Sequence, residues 1–322
     1  MSTWKKLKCL AVLAFGLVAG AAQAQLSEVT GFGSNPGGLK MFHYVPAGLP
    51  RGAGLVVMMH GCAQGPQDVD VETGWIQMAD TYKFALVFPQ TTFVDPAGSI
   101  PCFRSYDANH NRRGVGEALS VKQMTDWMLS RYPLARNRVF AAGFSSGAIE
   151  TGVMMASYPD VFAAGAILSG HPYGCASTYD EFVSCNILGK TLTAQQWGNL
   201  VRAAYPGYRG SYPRVSIWHG PSDLVIRYSS ANELIKQWTN VHGIDQTIDQ
   251  ADLVNLYPHY VYKTSGGASR VEFYSITDVG HAVPVSPYAL SRPRCGSIGG
   301  FATQSSSICA VYYVSRWFGL AT

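Results

Sequence analysis

Charge is scarce in this chain. Asp, Glu, Lys and Arg make up 14% of its 322 residues, with a formal balance of +4. Lys5, Lys6 and Lys8 lie within the first 24 residues, which hold no acid, so the balance beyond that segment is +1. A near-neutral surface gives nucleic acid no electrostatic footprint, and no such partner is expected. Metal-ligand spacing is missing too: there is no C-x-x-C and no clustering of His with Cys, so no metal site is expected. Past residue 24 no apolar run is long enough to cross a bilayer. Internal repeats and low-complexity linkers are also absent. What the chain does have is 47% hydrophobic residues and 34 glycines, the composition of a compact, well-buried globular enzyme.

Residues 1–24 read as a secretory signal peptide. The three lysines form a positive n-region, Cys9 to Ala21 is apolar, and Ala22-Gln23-Ala24 is a small-residue cleavage site. Cys9 follows Lys8 rather than a small residue, so no lipid anchor is expected. The product is expected to be exported, to periplasm or medium, with no membrane attachment after cleavage. Residues 25–322 are then expected to form a single catalytic domain, with no separate substrate-binding domain. Of seven cysteines, six remain after the leader. An even number in an exported protein predicts three disulfides. Sequence proximity suggests Cys175–Cys185 and Cys295–Cys309, which leaves Cys62–Cys102.

Strand-like and helix-like segments alternate, predicting an α/β protein with a mostly parallel sheet and helices on both faces. Strands are expected at 41–45, 54–60, 84–89, 163–168, 215–218 and 271–276. Helices are expected at 116–132, 229–241 and 309–318. Two Gly-, Pro-, Tyr- and Thr-rich stretches, 171–212 and 243–268, break the alternation and read as rim insertions above the carboxyl ends of the strands.

The most informative stretch is Val139-Phe140-Ala141-Ala142-Gly143-Phe144-Ser145-Ser146-Gly147. An apolar strand runs into G-x-S-x-G, and a helix-compatible segment follows at 148–158. That is the nucleophile elbow, where small flanking residues let the chain reverse around a strained serine. A serine hydroxyl needs a base, an acid to orient it and an oxyanion hole, with the partners in the order Ser, Asp or Glu, His. Asp223 closes Trp218-His219-Gly220-Pro221-Ser222-Asp223, a turn after a strand; Asp249, Asp252 and Asp278 are rivals. Of His242, His259 and His281, the histidines after Asp223, only His281 follows a strand in a glycine turn. The oxyanion hole is expected from the backbone N–H of Ser146 and of Cys62 in His60-Gly61-Cys62-Ala63-Gln64.

These pieces carry a resemblance. The chain resembles the extracellular poly(3-hydroxybutyrate) depolymerase family, which includes acetylxylan and feruloyl esterases. The matching motifs are His60-Gly61-Cys62 with Gln64, Arg138-Val139-Phe140 into the elbow, and Tyr158-Pro159-Asp160-Val161-Phe162-Ala163-Ala164-Gly165. They continue through Pro172-Tyr173-Gly174-Cys175, Gln196-Trp197-Gly198, Ala204 to Tyr208, Trp218-His219-Gly220 with Asp223, Lys236 to Asn240, and Gly280-His281. The resemblance implies an α/β-hydrolase fold and a Ser145–Asp223–His281 triad. It also implies an oxyanion hole at Cys62 and Ser146, and ester hydrolysis of a polyester or oligoester without metal or organic cofactor. Acetylxylan or feruloyl ester hydrolysis is the alternative. The segment from Cys102 through Gly114 departs from the classical pattern, and poly(aspartic acid) hydrolases are similar to the family. Arg104, Arg112 and Arg113 are therefore candidates to grip an anionic polymer, weighed against ordinary surface charges. Tyr173 and Trp197, among other rim aromatics, are candidate substrate contacts, weighed against packing. A non-catalytic binding protein on a hydrolase scaffold is the reading from another class; a complete triad argues against it. Oligomeric state is not legible.

Overall fold

A computed structural model describes residues 26–94, 100–288, 293–300 and 302–321; the leader at 1–24 lies outside them. In chain order the elements begin with β1 (Ser27–Val29), β2 (Lys40–Tyr44), β3 (Ala53–Met59), α1 (Pro66–Thr73), α2 (Trp75–Tyr82), β4 (Ala85–Gln90) and α3 (Gly116–Arg131). The middle holds β5 (Leu134–Phe144), α4 (Ser146–Ser157), β6 (Ala164–Leu168), α5 (Tyr179–Ile187), α6 (Ala194–Ala204), β7 (Arg214–His219) and α7 (Ser229–His242). The last are β8 (Gln250–Val254), β9 (Tyr257–Lys263), β10 (Ser269–Ser275), β11 (Val283–Val285), β12 (Thr303–Ser305) and α8 (Ala310–Trp317).

One sheet runs in the order β1-β2-β4-β3-β5-β6-β7-β10-β9-β8. From β4 to β10 every neighbouring pair is parallel; β1, β2, β9 and β8 flank this centre as antiparallel edges. The central strands are apolar without alternation because both faces are covered. Along β3, Leu55, Val57 and Met59 enter one core with residues of α3, α4 and α7, while Val56 and Met58 enter another with α2 and α8. The two-residue period of a strand divides one apolar run between two cores. This is the α/β-hydrolase fold.

The predicted strands and helices lie where expected, within a residue or two at their ends, except that the elbow strand β5 begins at Leu134, five residues before Val139. One expectation is corrected. Residues 243–268 are no rim insertion: they hold the β8–β9 hairpin, whose β9 pairs antiparallel with β10, with a register shift between Ser269 and Val271, and lengthens the main sheet. Residues 171–212 do rise beyond β6, as a two-helix unit of α5 and α6, with α6 packed on α7.

Candidate active site

Ser145 occupies the turn between β5 and α4 with φ 55° and ψ −121°. A residue with a Cβ rarely adopts positive φ, and here the surroundings impose it. Its N–H donates to the Leu168 carbonyl of β6 (3.0 Å), and its carbonyl accepts from Ala148 (2.9 Å) and Ile149 (3.1 Å) at the start of α4. Glycine is required on both sides. A Cβ at Gly143 would collide with the Gly147 carbonyl, and one at Gly147 with the Met59 carbonyl of β3. The motif is thus a close approach of three backbones.

Asp223 follows β7 in a turn closed by its own N–H to the Gly220 carbonyl (3.1 Å). Its Oδ1 accepts from the N–H groups of Val225 and Ile226, both at 2.9 Å, which fixes the carboxylate before any partner arrives. His281 follows β10. A Cβ on Gly220 would overlap the Val279 carbonyl, so this glycine lets the β7 and β10 loops touch and brings Asp223 under His281. His281 Nδ1 lies 2.8 Å from Asp223 Oδ2, and its Nε2 lies 2.9 Å from Ser145 Oγ. The three residues expected from motif and order therefore meet as one hydrogen-bonded chain. The Asp223 carboxyl is buried, which raises its pKa, but hydrogen bonds from His219 and His281 prevail and hold it far below the usual carboxylate range.

At the other side of Ser145, Ser146 opens α4, and the first N–H groups of a helix have no intrahelical partner. In the facing loop, Gly61 N–H donates to Gln64 Oε1 (2.8 Å) and Ala63 N–H to the Pro101 carbonyl (2.9 Å), which engages both neighbours of Cys62. Cys62 is bonded to Cys102, with Cα atoms 4.5 Å apart, and Phe103 N–H donates to Ser146 Oγ at 2.9 Å. One disulfide and one hydrogen bond thus join the 60–64 loop, the 101–103 segment and the head of α4. Cys175–Cys185 and Cys295–Cys309 are also bonded, as sequence proximity suggested.

The candidate substrate contacts are engaged elsewhere. Arg104 pairs with buried Glu117 (Nε to Oε1 3.4 Å), donates to the Gly37 carbonyl (2.9 Å) and lies over the Phe93 ring. Arg113 makes a two-pronged pair with Asp160 at 2.7 and 2.9 Å and contacts the Tyr158 and Tyr205 rings. Arg112 donates to the Ala108 carbonyl at an exposed turn. Trp197 is wholly buried, its Nε1 donating to Glu233 at 2.7 Å, and Tyr173 is buried with its backbone bonded to Gln237. These contacts tie Arg104, Arg113, Trp197 and Tyr173 into the fold, while Arg112 stays at an exposed turn.

His219 was passed over in the sequence. Its Nε2 lies 3.2 Å from Asp223 Oδ2 and 2.8 Å from the Ile226 carbonyl. The available signal was the spacing of His219 and Asp223 across one turn. Of the rivals, Asp252 pairs with His259 (2.7 Å) and Asp278 accepts from Tyr257 (2.8 Å). Among the described residues no group of three or more His, Cys, Asp or Glu could hold a metal, and no helix is long and apolar enough to span a membrane.

A parallel sheet carrying a serine elbow, with acid and histidine loops at the same end, defines an α/β-hydrolase of the esterase kind. The chain belongs to the esterase PHB depolymerase family, whose sequence profile matches residues 39–252. It is 42% identical over 295 residues to poly(3-hydroxyalkanoate) depolymerase C of Paucimonas lemoignei, covering 92% of this chain and 70% of that one. It is also 37% identical over 269 residues to feruloyl esterase B of Talaromyces funiculosus, covering 81% and 74%. Acetyl xylan esterase from Aspergillus awamori superposes with a TM-score of 0.75 at 27% identity, over 92% of this chain and all of that one.

Proposed function

We propose that the protein is a secreted serine esterase that hydrolyses ester bonds of poly(3-hydroxybutyrate) or of hydroxyalkanoate oligomers. Its leader would be residues 1–24 and its single catalytic domain residues 25–322. The observation that carries the reading is the hydrogen-bonded chain from Ser145 Oγ through His281 to Asp223. Ser145 Oγ attacks the ester carbonyl while His281 Nε2 takes its proton. Asp223 holds the imidazole in the required tautomer and stabilises the imidazolium. The carbonyl oxygen, now negative, receives the N–H groups of Ser146 and Cys62, which stand ready without reorganisation. His281 returns the proton to the leaving alcohol, and an acyl-Ser145 ester remains. Water, deprotonated by the same histidine, releases the acid and restores the serine.

The hydroxyalkanoate assignment is supported by the similarity to the depolymerase, which spans most of the chain at the higher identity. Acetylxylan or feruloyl ester hydrolysis is the second reading, favoured by the acetyl xylan esterase superposition. Poly(aspartic acid) hydrolysis loses its main support with Arg104 and Arg113 committed to Glu117 and Asp160. Export agrees with three disulfides, which persist in oxidising compartments. A fluorophosphonate probe tests the nucleophile. Labelling of the parent protein at Ser145 and none of Ser145→Ala is expected; labelling elsewhere, or equal labelling of both, contradicts the reading.

A further inference from the structure

Glu117, in the first turn of α3, is wholly buried, and its two oxygens reach two different segments of the chain. Oε2 accepts the backbone N–H of Arg104 at 2.6 Å. The two N–H groups just before it are also taken: Cys102 donates to the Phe93 carbonyl at 3.1 Å, and Phe103 to Ser146 Oγ at 2.9 Å. Cys102 is bonded to Cys62. The segment held by Glu117 is therefore the one that meets both the 60–64 loop and the head of α4. Oε1 accepts from Thr91 Oγ1, at the exit of β4, over 3.4 Å. Thr91 N–H in turn donates to His60 Nε2 at 3.2 Å. Burial pushes the His60 pKa down to about 4, so the ring is neutral near pH 7. With Nε2 accepting, the proton sits on Nδ1, which donates to the Gly61 carbonyl at 2.6 Å. That carbonyl shares one planar peptide unit with the Cys62 N–H, so its direction fixes where the N–H points.

We propose that Glu117 is a positioning residue for the oxyanion hole, holding through Arg104 and Thr91 the two segments that aim the N–H groups of Cys62 and Ser146. The proposal rests on the serine-esterase reading of the preceding subsection. Both routes from the carboxylate end at the proposed donors, one through the 102–104 backbone and the disulfide, the other through His60. Filling space does not account for the residue. Burial lifts the Glu117 carboxyl to about 7 against its bonds to Arg104, so the charged form is kept at a cost in desolvation. An apolar side chain would avoid that cost but would leave the Arg104 N–H unpaired. Glycine at position 37 lets a neighbouring loop close over the carboxylate's helix, since a Cβ there would overlap Glu117 Cα. The bonds of Glu117 go to the scaffold rather than to Ser145 or His281, so it acts on the reaction through how the donors meet the oxyanion.

The test compares turnover of p-nitrophenyl butyrate with that of its thionoester, in which sulfur replaces the carbonyl oxygen. Sulfur is larger and a weaker acceptor, so the preference for the oxygen ester reads the oxyanion donors rather than the fold as a whole. Removing one donor costs about 100- to 1000-fold in rate, and misaiming the donors costs less. Glu117→Ala in the full chain is expected to lower kcat on the oxygen ester about tenfold or more, with KM little changed and the thionoester rate much less affected. Glu117→Gln keeps an acceptor oxygen for the Arg104 N–H and is expected to lower the preference roughly threefold, which supplies the reading if the alanine variant does not fold. Asp126→Asn, at an exposed pair with Lys122 on the same helix, is expected to change neither rate. All assays are run well below each variant's melting temperature. An oxygen-over-sulfur preference equal to the parent's in the folded variants overturns the positioning role, as does a lowered melting temperature with kcat intact. Ser145→Ala is assayed alongside. Turnover that survives it defeats the serine-esterase reading, whereas Ser145-dependent turnover with an unchanged preference defeats only the role of Glu117.

Discussion

His219 and Asp223 meet across a single turn, with His219 Nε2 3.2 Å from Asp223 Oδ2, the oxygen that also faces His281 Nδ1 at 2.8 Å. The same His219 nitrogen lies 2.8 Å from the Ile226 carbonyl. Placed between two acceptors, Nε2 carries the proton and donates. His219 thus holds the carboxylate in place and, on the proposed mechanism, acts through Asp223. Removing a hydrogen bond to a charged group costs roughly 1.5–3 kcal/mol, so His219→Ala is expected to lower kcat by about tenfold or more with KM little changed. His219→Gln, whose amide nitrogen reaches the position of Nε2, should recover part of the loss. Steady-state kinetics on a soluble ester decides. Equal loss in both variants, or a change in KM alone, contradicts a positioning role.

The Cys62–Cys102 disulfide closes a loop of 40 residues and ties down the segment carrying Cys62, the proposed oxyanion donor. Chain entropy assigns such a closure about 4 kcal/mol, so Cys102→Ala is expected to lower the melting temperature. Turnover should fall further than stability explains. Well below the variant's melting temperature, kcat is expected to drop about 10- to 100-fold, toward the cost of one misplaced oxyanion donor. Full turnover in the folded variant would leave the disulfide a purely structural role.

Buried Glu150 lies on α4 beyond Ser145, and among the described residues neither of its oxygens finds a hydrogen-bond partner. Burial lifts its pKa well above the ordinary 4.5, repulsion from Glu117 adds to this, and Arg104 opposes it. Glu117 itself is pushed up to about 7 by burial, against its bonds to Arg104. A raised carboxyl pKa means that the folded state keeps a proton the unfolded chain releases. Stability therefore falls as pH rises from about 4.5 through the folded values. Glu150→Gln is expected to melt higher than the parent at pH 8 and to lose part of that slope. A melting-temperature difference that is the same at every pH contradicts the assignment.

His259 adds a response that begins higher, at about 6.5. Its Nδ1 faces Asp252 at 2.7 Å and its Nε2 faces Glu272 at 3.2 Å, so the charged ring ties β8, β9 and β10 together. Burial lowers its pKa, but the two carboxylates prevail and raise it above 6.5. The stabilisation is full below 6.5 and is lost as pH rises through the folded value. Thermal melts between pH 6 and 9 should show a decline that His259→Gln makes shallower. An unchanged decline excludes His259 as its source.

The elbow, Asp223 and His281 were legible because each obeys a local constraint. Gly143 and Gly147 allow a backbone collision to be avoided, and both partner loops follow apolar strands. The β8–β9 hairpin was not legible. Gln250 to Asp252 are exposed edge residues with no buried alternation, and Asn255-Leu256 forms a turn at positive φ without glycine. The fate of Arg104 was equally hidden, since it depends on Glu117 being buried on a helix that the sequence places but does not orient. Short α1 is missed for a related reason: it has no clear apolar period, and its position comes from contacts with α2 and β4.

Product release from four substrates side by side tests the central claim most directly: amorphous poly(3-hydroxybutyrate), soluble hydroxybutyrate oligomers, acetylated or feruloylated xylan, and poly(aspartate), each with Ser145→Ala as control. The account predicts hydroxybutyrate from the first two substrates and none from the variant. Release confined to xylan esters or poly(aspartate) would contradict the substrate assignment, and release that survives Ser145→Ala would contradict the nucleophile.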